Sequence, residues 1–137
     1  MMRIHRSPLG ISALTLALVG LATCTSSNVV GPSNQPQVTN VVDNFQFQVS
    51  NLNNVTQTLT YNWSNSGDSA NVNQSSSLTS GAATLTIKGP TGTVLYQAGL
   101  QNNGTFHTLK GTTGTWQIVV AMNGAGGGLN FRVQKAP

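Results

Sequence analysis

Short runs of alternating apolar and polar residues fill most of this chain, and that period of two most constrains what it can fold into. Phe45, Phe47 and Val49 alternate with Gln46 and Gln48. Val55, Leu59, Tyr61 and Trp63 share one parity, while Thr58, Thr60 and Asn62 share the other. Ala83, Leu85 and Ile87 alternate with Thr84, Thr86 and Lys88. Trp116, Ile118, Val120 and Met122 do the same, and so do Leu129, Phe131 and Val133. Side chains along a strand point to opposite faces in turn, so each run predicts a strand with one buried face. Threonine and aromatic residues suit such a pleated, half-buried surface. No segment beyond residue 36 carries the 3.6-residue period of an amphipathic helix.

Turn chemistry separates the runs. Asn65-Ser66-Gly67-Asp68, Gly89-Pro90-Thr91-Gly92, Asn102-Asn103-Gly104 and Asn123-Gly124-Ala125-Gly126 supply residues that tolerate positive φ or fix φ. The segments around Ile87 and Val94 read as one hairpin, and those around Ile118 and Phe131 as another. About seven or eight strands with frequent turns predict an all-β fold, an antiparallel, jelly-roll-like β-sandwich over residues 37–137.

A different pattern precedes it. Arg3 and Arg6 are followed by the apolar run Leu9 to Ala22, then by Cys24, the chain's one cysteine. A basic start, an apolar middle and small residues at the end make the order of a secretory signal. At 14 residues the run is shorter than the roughly 20 that a spanning helix needs. Residues 1–23 are therefore read as a signal peptide. Residues 24–36, polar and punctuated by Pro32 and Pro36, read as a flexible tether with a reach near ~20 Å.

Leu21-Ala22-Thr23-Cys24 resembles the lipobox of bacterial lipoproteins, with Thr23 standing where Gly, Ala or Ser is usual. The resemblance implies a diacylglyceryl group on the Cys24 thiol, cleavage after Thr23 and acylation of the new amino group. Two acyl chains give stable attachment, at about 0.8 kcal/mol per buried CH₂. Thr25 follows the cysteine, where Asp resembles an inner-membrane retention signal. That favours the outer membrane if the organism has one. Two alternatives stay open. Gly20 and Ala22 also suit ordinary signal peptidase, which would release a secreted or periplasmic protein, or Cys24 is incidental to the apolar run.

The closing segment carries a second resemblance. Gly114, Trp116, Ile118 and Val120, then a Gly-bearing turn, then Phe131 and Val133, are similar to the last strands of bacterial pre-peptidase C-terminal-like (PPC) jelly-roll modules. The resemblance implies an accessory role in binding, spacing or stabilising.

Composition removes several function classes. The formal charge is +4, but two of the basic residues fall in the signal. Beyond it stand Lys88, Lys110, Arg132 and Lys135 against Asp43 and Asp68. Nucleic-acid binding wants a clustered basic footprint, and none is present. Calcium wants several carboxylates and zinc three or four ligands, while His107 is the one histidine beyond the signal. No metal or cofactor is expected. A catalytic triad from His107, an Asp and a Ser has no supporting motif, so His107 reads as a strand residue. Asp43 and Asp68 as a glycosidase pair meets a simpler reading, because Asp68 sits in a turn signature.

Sugar binding is the alternative function, through aromatic faces and amides. Trp63 and Trp116 share parity with aliphatic residues and read as core. Tyr61 and Tyr96 are the remaining candidate ligand contacts. The sequons at Asn54, Asn62, Asn73 and Asn103 are expected by chance in so Asn-, Ser- and Thr-rich a chain. Asn123 to Gly128 precedes a strand, not a helix, so it reads as a flexible hairpin tip and not a phosphate cradle. The sequence thus predicts a lipid-anchored envelope protein, non-enzymatic, whose partners are the membrane and an envelope protein or polysaccharide.

Overall fold

The computed structural model describes residues 28–137; the expected signal segment and Cys24 lie outside the described residues. Seven antiparallel strands account for most of it: β1 (Gln37–Val41), β2 (Asn44–Asn65), β3 (Ala70–Gln74), β4 (Ser77–Lys88), β5 (Val94–Gly99), β6 (Gly104–His107) and β7 (Gly114–Lys135). The fold is all-β and sandwich-like, as the alternation predicts. Among the described residues no helix is long and apolar enough to cross a membrane.

Two long strands organise the rest. β2 and β7, each of 22 residues, pair with each other from Asn44↔Gln134 to Asn65↔Gly114. Midway, the register shifts between Val49, Leu52, Val55 and Gln57. On one side of the bend the order is β1-β2-β7-β3-β6. On the other side β4 takes over the far edge of β7, and β5 pairs with β4. The two halves of the ribbon fold face to face. Tyr61, from the second half of β2, packs on Phe45 and Phe47 of the first half, with ring centroids 5.2 and 6.1 Å apart. Phe131 of β7 stacks on the same two rings at 5.9 and 5.4 Å.

The core follows the parity of the sequence. Phe45, Phe47, Trp63, Leu85, Ile87, Trp116, Ile118, Val120, Phe131 and Val133 are all buried. Trp63 and Trp116 meet edge to face at 5.9 Å. Their indole N–H groups donate to the Val41 and Thr112 carbonyls, so neither ring leaves a buried donor unpaired.

The β4–β5 hairpin forms as expected, with Ile87 opposite Tyr96 and the turn closed by Gly92 N–H donating to Gly89 O at 2.9 Å. The second expected hairpin does not form. Asn123 to Gly128 lies inside β7, which runs on without reversing. Here the glycines serve a bend. Gly124 and Gly127 hold φ of 59° and 101°, the left-handed region that glycine enters without a Cβ penalty. Both flanks of β7 stay paired, Ala125 with Val55 of β2 and Gly126 with Ser80 of β4. Asn51 and Asn54, both at φ 52°, are the matching left-handed positions in β2. Asparagine is among the few residues that adopt this conformation readily. The Gly-bearing turn implied by the PPC resemblance is accordingly absent, and its two strands are one.

Residues 28–36 also differ from the flexible tether expected there. A short parallel bridge joins Asn28 to Val55, and a 3₁₀ turn spans Pro32–Asn34. The segment crosses the bend from the Val55 side of β2 to the Ser50 side and then enters β1.

The bend tolerates little added bulk. Gly81 of β4 sits at φ 67°, and a Cβ there would overlap the Gly124 carbonyl. Gly81→Val is expected to lose about 3 kcal/mol or more of stability in urea unfolding. Gly31→Ala, where an added Cβ meets open space, should stay within about 0.5 kcal/mol of the parent.

Candidate functional site

Polar side chains gather in three places, and the amino-terminal segment builds the most distinctive one. Asn34, between two prolines, is buried although it carries an amide. Its Oδ1 accepts from Gly31 N–H at 2.9 Å. Its Nδ2 donates to the carbonyls of Asn51 at 2.9 Å and Ser50 at 3.2 Å. The left-handed turn at Asn51 helps expose those carbonyls at the bend. Farther back, Val30 N–H donates to Gln57 Oε1, Asn28 Nδ2 to Asn53 O, and Thr56 N–H to Asn28 O. A groove of about 430 Å³ opens beside this segment, lined by Asn28, Val29, Ser33, Asn51, Asn53 and Val55. None of its lining side chains is ionisable.

The second place holds Tyr96, one of the two candidate ligand contacts. Its ring is half-buried against Phe106 and its hydroxyl donates to Gln74 Oε1 at 2.7 Å. Gln74 Nε2 in turn donates to the carbonyls of Gly99 and Asn102. Next to it Asn103 and Ser76 exchange side chain–backbone hydrogen bonds, Ser76 N–H to Asn103 Oδ1 and Asn103 Nδ2 to Ser76 O. This network ties the end of β3 to the β5–β6 connection. Burial raises the Tyr96 phenol above its ordinary pKa, as it does for Tyr61. Tyr61 packs on Phe45 and Phe47 at the seam between the layers. The two tyrosines therefore fill gaps in the packing rather than forming one aromatic strip, and the buried tryptophans add nothing to such a strip.

The third place is ionic. Asp43 is in the β1–β2 turn at φ 65°, where its carboxylate accepts from Ser66 N–H and Ser66 Oγ, each at 2.7 Å, with Lys135 Nζ at 3.6 Å. The Ser66 backbone hydrogen bond, then the Ser66 hydroxyl and Lys135, hold Asp43 below its ordinary pKa of 3.8. Asp68 pairs with Lys110 at 3.1 Å, which lowers its pKa too. His107 Nδ1 meets Asn71 Oδ1 at 2.6 Å on the exposed strand edge. Each acidic group and the imidazole thus has its own partner. No group of three or more His, Cys, Asp or Glu residues comes together among the described residues.

The sequence placed chemistry on Cys24, Tyr61 and Tyr96, and of these Cys24 lies outside the described residues. It missed the amino-terminal segment. The available signal was Asn-Leu-Asn-Asn at residues 51–54, a cluster suited to left-handed bulges, and the lone Asn34 with four possible hydrogen bonds to satisfy. Neither a scan of protein-family models nor a search of curated proteins finds a match to this chain.

Two outcomes test this geometry. Asn34→Ala leaves the Ser50 and Asn51 carbonyls without their partner, and should cost about 1–3 kcal/mol. It should also speed hydrogen exchange at Val30 and Thr56 more than at Ile118. For Asp43, a folded-state pKa below the unfolded value means the carboxylate stabilises the fold above the ordinary 3.8. That contribution is lost as pH falls below 3.8 and through the depressed folded value. In acid titrations followed by tryptophan fluorescence, Asp43→Asn should flatten this low-pH loss and leave the neutral-pH fold intact.

Proposed function

We propose that the protein is a lipid-anchored component of a bacterial cell envelope, with a non-enzymatic structural or binding role carried by the β-sandwich. The observation that carries the reading is the order Arg3, Arg6, the apolar run Leu9 to Ala22, and Leu21-Ala22-Thr23-Cys24. As the sequence has one cysteine, Cys24 has no partner for an intrachain disulfide. Two acyl chains on Cys24 make a firm attachment, where one would bind weakly and reversibly. Thr25 in place of Asp favours the outer membrane in an envelope with two membranes.

A structural or binding role is supported by how the polar side chains are used. Asp43 organises a turn, Asp68 and Lys110 pair at the surface, and His107 bonds an asparagine. A nucleophile needs a base in reach and a group that orients that base. The hydrogen-bond partner of the imidazole is an amide, which does not fill that arrangement.

Intact-mass analysis of the protein made in a bacterial host tests the anchor. A mass gain of at least one diacylglyceryl unit is expected, with one further acyl group where the new amino group is acylated; it should be absent from Cys24→Ser, with the parent in the membrane fraction. Unacylated protein in the soluble fraction, beginning at Thr23, would overturn the proposal.

A further inference from the structure

Charge is distributed unevenly along the long axis of the sandwich. Asp43, Asp68, Lys110 and Lys135 meet in ion pairs where β2 ends and β7 begins and ends. Lys88 pairs with Gln117 near the same end. At the opposite end lie the bends of β2 and β7, the Ser77–Ala82 part of β4 and the amino-terminal segment. Residues 28–36, 50–57, 77–82 and 123–128, which build that end, contain no Asp, Glu, Lys, Arg or His. Their polar side chains are the amides of asparagine and glutamine, among them Asn28, Asn51, Asn53 and Asn54, and the hydroxyls of serine and threonine.

The chain enters the fold at this uncharged end. Asn28 is fixed there by its bridge to Val55 and by the hydrogen bonds that join it to Asn53 and Thr56. Four peptide steps separate it from Cys24. At about 3.3–3.6 Å per residue, even a fully extended chain puts the two Cα atoms no more than ~14 Å apart. The 24–36 tether would have reached farther and lifted the domain clear of a membrane. With residues 28–36 packed on β2, that clearance is lost.

We infer that the uncharged bend end of the sandwich rests on the headgroup layer of the bilayer that holds Cys24, and that the ionic end projects away from it. The inference depends on the lipid-anchor reading and adds to it an orientation and a contact surface. Val29, 58% exposed beside the groove, and the asparagine amides around it form the contact. Amides and hydroxyls can both donate to lipid phosphates and carbonyls and accept from their amines. Such a contact needs no anionic lipid and is nearly insensitive to salt, unlike a polybasic patch.

The test uses the full chain, acylated in a bacterial host and reconstituted in phosphatidylcholine vesicles or phosphatidylcholine–phosphatidylglycerol vesicles. A single fluorophore is attached through Asn53→Cys at the bend end, or through Thr91→Cys in the β4–β5 turn. Both side chains are exposed, and acylation occupies the Cys24 thiol. Near-ultraviolet circular dichroism of the buried tryptophans confirms that each variant is folded. Lipids with spin-labelled headgroups should quench the Asn53 probe several-fold more than the Thr91 probe, equally in both vesicles and at low and high salt. A long Gly-Ser spacer between Cys24 and Asn28 should reduce that difference. Equal or reversed quenching in protein whose mass includes the diacylglyceryl unit would overturn the orientation and leave the anchor standing. Preferential Asn53 quenching that requires anionic lipid and disappears in salt would overturn the neutral contact. Protein lacking the acyl mass would overturn both readings.

Discussion

The pairing of β2 with β7 along their whole length determines where everything else can go. Two antiparallel strands of 22 residues are too long to lie flat on a core of this size, and the ribbon bends at its middle. The bend turns one ribbon into two layers. Tyr61 then reaches Phe45 and Phe47 across the interior, while the ladder itself sets Phe131 beside Phe47 and Trp63 against Trp116. The shorter strands complete each layer: β1, β3 and β6 on one side of the bend, β4 and β5 on the other. With no disulfide within the described residues, ladder hydrogen bonds and this aromatic interior carry the stability.

Most of the fold was legible in the alternation of residues, and the reason is physical. Side chains from Phe45 to Val49 and from Trp116 to Met122 must choose a face, so parity names the core directly. The Gly89–Gly92 turn was legible because the chain reverses there within a few residues. The Asn123–Gly128 run was not, because glycine permits the same left-handed backbone in a hairpin tip and in a bulged strand. What decides between them is whether partners exist on both flanks, and here β2 and β4 supply them. Those partners are far away in sequence. The Asn51–Asn54 bend was hidden for the same reason. Residues 28–36 read as a tether because polar, proline-punctuated chain is loop-like by composition. Asn34 satisfies its hydrogen bonds only when the β2 bend presents the Ser50 and Asn51 carbonyls.

The candidate site was legible to a different degree. The role proposed for Cys24 rests on local order in the first residues, which a sequence displays in full. Tyr61 and Tyr96 stood out because they are aromatic, but their surroundings come from strands distant in the chain. Tyr61 closes the seam between layers, and Tyr96 caps Gln74. The uncharged bend end could not be read at all without the topology, since four separate segments build it. Its consequence joins the fold to the proposed anchor: the bend that makes the sandwich also makes the surface at Asn28, four residues after Cys24.

The continuity of β7 through its glycines is the point on which this architecture rests, and backbone ¹⁵N relaxation measures it directly. A bent strand held on both flanks should give order parameters near about 0.85 from Asn123 to Gly128, like those of Ile118 to Met122. Values below about 0.6 in that run, between two rigid segments, would contradict the account and restore a hairpin tip in place of the bend.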